Sequence, residues 1–122
     1  MAKFLGDNVL DAALSYISSN ATTLYLCSAQ PTDYTTASST YALTNDATIS
    51  WGSPLNGTTG RKIAVPETSG TVSGGGGTAT YWALTDGTSE LIAYGTLSSS
   101  KALATSDTWT LATFDIEISD PT

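Results

Sequence analysis

Histidine is absent from this 122-residue chain, and cysteine occurs once, at Cys27. Without imidazole there is no Ser-His-Asp or Cys-His nucleophile system, no imidazole metal site and no ordinary general base near neutral pH. A single thiol permits neither an internal disulfide nor a thiolate metal cluster. Cations are scarce too: Lys3, Arg61, Lys62 and Lys101 stand against 11 carboxylates, a net charge of −7. No basic stripe can be drawn from four such residues, so nucleic acid is not an expected partner. An anionic membrane surface would repel the chain for the same reason. No run approaches the roughly 20 apolar residues of a membrane span. The opening "MAKFLGDNVLDAALSYI" has one Lys, two carboxylates and no clean apolar stretch, and reads as mature structure rather than a signal peptide.

Charged residues of both signs make up 12% of the chain, about half of ordinary usage. Thr and Ser fill the polar positions instead, beside 11 glycines. Thr suits a pleated surface and Gly suits turns, so the composition is that of a β-rich protein. Hydrophobic residues at 40% are enough for one packed interior, and the length suits a single domain over 1–122. The exterior implied is neutral and rich in hydroxyls, as on a surface that neighbours cover.

The clearest helix lies at about 7–19. Leu10, Ala13, Leu14 and Ile17 recur at helical spacing, Asp7 or Asn8 is placed to cap it, and Asp7 and Asp11 suit the dipole of its first turns. The remainder, about 22–119, reads as strands. "TTLYLCSA" is apolar and β-prone, and "QPTDYTTASSTYALTNDA" is a long polar connection with room for a short helical or extended piece. "ATISWG" puts Ile49 and Trp51 on one face, "GSPLNGTTG" is turn chemistry, and "RKIAVPE" puts Ile63 and Val65 on one face before Pro66 stops it. "TATYWAL" and "ELIAYGTL" flank Asp86-Gly87, a hairpin signal. "TWTLATFDIEIS" alternates as one half-buried strand, Ala112, Phe114, Ile116 and Ile118 against Thr113, Asp115 and Glu117. The expected fold is mainly β (α+β): an antiparallel sandwich or barrel of about six or seven strands carrying one N-terminal amphipathic helix.

Several groups invite a chemical reading. Gly74, Gly75, Gly76 and Gly77 form a glycine run, but a phosphate loop needs a following helix and usually a Lys, whereas a strand pattern follows here. The expectation is an exposed loop at a strand end. Asp115 and Glu117 lie roughly 7 Å apart on one strand face, within the range of an inverting glycosidase pair; the plainer reading is a solvated face. Asp86 and Glu90 flank a hairpin tip without the oxygen-rich periodicity of a calcium loop. Cys27 reads as a small buried hydrophobe, with an intermolecular disulfide as the alternative. Trp51, Trp82 and Trp109 suggest a sugar-stacking face or, since each lies in a strand-like run, core packing. No catalytic residue, cofactor or metal ligand is assigned, and the chain is read as non-enzymatic.

"LGDNVLDAALSYISSNATTLYLCSAQPTDYTTA", "GTATYWALTDGTSELIAYGTL" and "FDIEISDP" together resemble small virion structural proteins of tailed bacteriophages. The resemblance implies a capsid decoration or cement protein on the outer surface of the head, made in the host cytoplasm. It implies the major capsid protein lattice as partner, and a homo-oligomer with a trimer favoured. Contacts are expected from the Pro31–Thr44 stretch, the glycine loop and the termini, with Pro31, Tyr34, Tyr41 and Gly74 to Gly77 as interaction residues. A tail-tube, connector or fibre component is the alternative within the virion, and a carbohydrate-binding surface module the alternative outside that class.

Overall fold

A computed structural model describes residues 5–119. Lys3 and the terminal contacts expected above lie outside these residues. In chain order the elements are α1 (Asp7–Asn20), β1 (Thr23–Cys27), a π-helical turn (Thr36–Thr40), β2 (Ala42–Asp46), β3 (Leu55–Asn56), β4 (Gly60–Val65), β5 (Thr68–Thr71), β6 (Gly77–Thr85), β7 (Leu91–Leu103), β8 (Thr108–Leu111) and β9 (Phe114–Ser119). The fold is mainly β, with one N-terminal helix and antiparallel sheets, as the composition leads one to expect.

Helix α1 begins at Gly6, whose carbonyl accepts from the amides of Val9 and Leu10. No side chain caps it, so the capping role expected of Asp7 or Asn8 is not filled; both lie inside the first turn. Leu10 and Leu14 are buried and Ile17 packs on the core. Ala13 is exposed, a correction to the expected stripe, because it lies well round the helix from the inward direction. Two ties hold the helix to the strands. Asp11 receives Arg61 Nε at 2.7 Å and Nη2 at 3.1 Å, and Tyr16 donates its hydroxyl to Glu90 at 2.7 Å.

One sheet has the order β2-β1-β6-β7 and is antiparallel throughout. The remaining strands make two smaller sheets, β3-β4-β9 and β5-β8. Since β4 leads into β5 and β8 into β9, these form one long antiparallel ribbon with a bend. The bend falls at Pro66-Glu67 on one side and Ala112-Thr113 on the other. Pro66 has no amide to donate there, and Thr113 Oγ1 donates to the Val65 carbonyl at 2.7 Å, satisfying a group the bend would strand. "TWTLATFDIEIS" is therefore two strands, not the single one its alternation suggested.

Leu24, Leu26, Ala79 and Leu84 of the four-stranded sheet share a core with Val65, Val72 and Trp109 of the ribbon and its loop. Fully burying a leucine contributes about 1.5–3 kcal/mol, so these side chains supply most of the cohesion between the two layers. Tyr25 and Cys27 alternate onto the opposite face of β1, where Ala37 of the π-helical turn clusters with Cys27 and Ala83. "ATISWG" is not a strand. Asp46 Oδ1 accepts from Thr48 N at 2.8 Å and Thr48 Oγ1 at 2.6 Å, a turn that ends β2 and redirects the chain. Ile49 and Trp51 nevertheless face the core, and Trp51 Nε1 donates to the Ala21 carbonyl at 2.9 Å.

Candidate interaction surface

The carboxylates are placed by turns. Asp86 Oδ1 accepts from the amides of Thr88, Ser89 and Glu90 at 2.8–2.9 Å, while Gly87 takes φ +81°. This closes the β6–β7 hairpin at the dipeptide expected, and holds Asp86 below the usual carboxylate range. Glu117 accepts from Thr59 N at 2.6 Å and Thr58 N at 3.2 Å, closing the β3–β4 turn, and those bonds lower its pKa in the same way. Asp33 is lowered by its bonds from Thr36. Burial pushes Asp46 upward, but bonds from Thr48 and Ser69 outweigh it and the net shift is downward. Asp115 pairs with Lys62 at 3.0 Å. The Asp115/Glu117 and Asp86/Glu90 pairs are thus turn and ion-pair groups in this structure. Among the described residues, no three acidic, Cys or His side chains gather as a metal site.

The tryptophans do not share an open face. Trp109 is buried and donates Nε1 to Thr44 Oγ1 at 2.8 Å, and Trp51 is held by the Ala21 carbonyl. Cys27 is fully buried, and burial pushes its thiol up to about 11. That fits the small buried hydrophobe of the sequence reading, not a cross-linking thiol.

Of the expected interaction residues, Pro31 is fully buried and offers no contact surface; it packs inside the chain. Tyr41 packs against the Cys27 cluster. Tyr34 lies beside Tyr25, whose pKa is raised by burial first and by the neighbouring Tyr34 second. Tyr25 in turn lines a shallow polar hollow of about 320 Å³ with Ser38, Leu43, Asn45, Ser73 and Gly74. The glycine run divides in two. Gly74 and Gly75 are exposed with open space around them. Gly76 takes φ +78° with its Cα against the Leu103 carbonyl, where a Cβ would collide, and Gly77 starts β6. Thr105 Oγ1 fastens the loop by donating to the Gly74 carbonyl at 2.6 Å.

A second surface was not singled out from sequence. β7 is the end strand of its sheet and, among the described residues, ladders only with β6. The ladder steps past Ile92, runs in register from Ala93 to Thr96, then slips again: Leu97 to Ser100 lie opposite the single residue Thr80 before pairing resumes at Lys101. Ser98, Ser99 and Ser100 are exposed. The bulge faces the bend of the ribbon, and between them lies a cleft of about 240 Å³ lined by Trp82, Leu97, Leu111 and Phe114, with Thr96 and Ser98 at its mouth. Trp82 and Phe114 form its apolar wall, their rings 4.8 Å apart and tilted by 46°. Trp82 reaches this far because its cross-strand partner is Gly95, which has no side chain in the way. The signal was present as "YGTLSSSK": a glycine opposite a tryptophan, then a serine run that breaks strand alternation.

No helix among the described residues is long and apolar enough to cross a membrane. No family model matches the chain, and neither a curated protein nor a solved structure matches it.

Proposed function

We propose that this protein is a non-enzymatic structural component of a tailed-phage virion, bound to the outer surface of the head as a decoration protein. The observation that carries the reading is the division of labour between its polar groups. Asp33, Asp46, Asp86 and Glu117 are engaged in closing turns, and Cys27 and Trp109 are buried. What is exposed along β7 before Lys101 is uncharged and bears hydroxyls: Tyr94, Thr96 and Ser98 to Ser100. Such a surface suits association with another protein better than turnover of a small substrate. Its action would be mass action: a protein that binds only the mature lattice stabilises that lattice in proportion to its occupancy.

The test is to delete the coding sequence and compare the resulting particles with the parent. Decoration predicts hundreds of copies on parent heads, and earlier loss of genome from deleted heads on heating. Particles that survive heat equally without the protein would overturn the stabilising role, and a copy number of a few per particle would move it to the tail or connector.

A further inference from the structure

We infer that the outer edge of β7 receives an extended segment of a partner chain, uncharged at its centre and basic at the end that meets Asp86 and Glu90, with one apolar side chain entering the Trp82–Phe114 cleft. The inference deepens the reading above by naming its contact surface, and rests on that reading for the source of the segment.

Three observations lead to this occupant. The first is the edge itself. Leu91 to Ser100 contains no charged residue and no proline, two of the devices that keep an edge strand from pairing; bulges, another such device, interrupt it at Ile92 and at Leu97–Ser100, so the regular edge is Ala93–Thr96. A row of unpaired N–H and C=O groups is complementary to one thing, another extended backbone. The second is the bulge. Four residues against one pull Leu97 and Ser98 out of the ladder and open the cleft beside the edge. A strand laid along β7 presents side chains alternately to the two faces, so one of them falls over Trp82 and Phe114 while its neighbours point away. The third is charge. Asp86 and Glu90 give the start of β7 two negative charges, whereas at its other end Lys101 offsets Asp107, with an uncharged seam between. A second copy laid antiparallel would bring the Asp86–Glu90 end of one chain to the Asp107 end of the other. A parallel copy would stack like ends, and each copy carries −7. A basic flank on a foreign strand meets the Asp86–Glu90 end favourably.

The test uses the full chain, isotopically labelled, and a panel of synthetic ten-residue peptides with two lysines at one end. Thr alternates with Val, Ile or Phe in the centre. The expected result is movement of the Leu91–Lys101 amide signals and of the Trp82 indole, with slowed exchange of β7 amides. Glutamates in place of the lysines should weaken binding by at least about tenfold. Ser98→Lys should weaken it similarly, and Ser99→Pro, which lies outside the β6 ladder, should abolish it; an unchanged amide spectrum elsewhere establishes that each variant is folded. If no peptide moves β7, or lysine- and glutamate-flanked peptides bind alike, the inference fails. A concentration-dependent dimer abolished by Ser98→Lys would make the occupant a second copy and overturn it too. Ser98→Lys protein retained on heads at parental copy number would sink the edge and leave the decoration reading standing. Peptide binding to β7 by a protein that is missing from heads would do the reverse.

Discussion

Trp82 lies across Gly95, its partner in the β6–β7 ladder. A Cβ at position 95 would stand 2.7 Å from Trp82 Cζ2. The indole can therefore reach Phe114 only while residue 95 lacks a side chain. Gly95→Val should destabilise the protein by about 1–3 kcal/mol, the usual cost of overpacking, and should shift the near-ultraviolet dichroism of the tryptophans. Urea unfolding measures the first effect. An unchanged midpoint with an unchanged aromatic spectrum would show that the ring has room to spare.

The four glycines should respond very differently to alanine. Gly76 combines φ +78° with close approach to the Leu103 backbone, so Gly76→Ala should cost about 1–3 kcal/mol or more. Gly74→Ala and Gly75→Ala meet open space and should stay within about 0.5 kcal/mol of the parent. Thermal melts of the three variants decide it. Equal effects would mean that the run acts as one flexible unit.

Acid should unfold the protein by way of its turns. Asp33, Asp46, Asp86 and Glu117 are held below the usual carboxylate range in the native state. Their contribution is full above the unfolded value of about 4 and is lost as pH falls through the lower native values. The melting temperature should be level from about pH 7 to 5 and drop below about pH 4. Asp86→Asn combined with Glu117→Gln should flatten that drop. A melting temperature that stays constant down to about pH 2 would show that these bonds contribute nothing.

Cys27 should be inert in the folded chain. Its thiol is buried, pushed up to about 11, and lies 3.5 Å from the Ala37 carbonyl. Labelling by an aromatic disulfide reagent should be slower in native buffer than in denaturant by on the order of a hundredfold. The mass in solution should not depend on reductant. Rapid native labelling would place the thiol at the surface.

The parts of this fold that were legible in sequence are those governed by short-range rules. The Leu10–Leu14–Ile17 stripe, the Asp86-Gly87 hairpin and the Ile63/Val65 alternation each follow from chain geometry over a few residues. What was hidden depends on partners far along the chain. Ile49 and Trp51 alternate like a strand, yet a turn at Asp46 and a bond to Ala21 hold them in irregular backbone. Residues 108–119 look like one strand, yet their apolar positions change from odd (Trp109, Leu111) to even (Phe114, Ile116, Ile118) where the ribbon bends opposite Pro66, a local signal that the single-strand reading passes over. Pro31 looked like an exposed loop proline because nothing local reports that its ring is buried. Tyr34 and Gly74 both lie at or beside the polar hollow that Tyr25 lines, a juxtaposition of residues 25 to 74 that no spacing rule encodes. The β7 cleft escaped notice for the same reason, since its two walls are a bulge and a bend from separate parts of the chain.

The bent ribbon has a kinetic consequence. Its ion pair between Lys62 and Asp115 joins residues 53 apart, whereas the β6–β7 hairpin closes over a five-residue turn. Closing so large a loop has an entropic cost that must be met before the ribbon's pairing can offset it. The hairpin is thus the natural nucleus, and the ribbon closes in a later step, as does the equally long-range β1–β6 pairing. The cleft beside β7 takes shape only at that later step, because one of its walls is the bend. A chain caught before then would show its edge strand without the Trp82–Phe114 cleft beside it, able to pair but not to select what it pairs with.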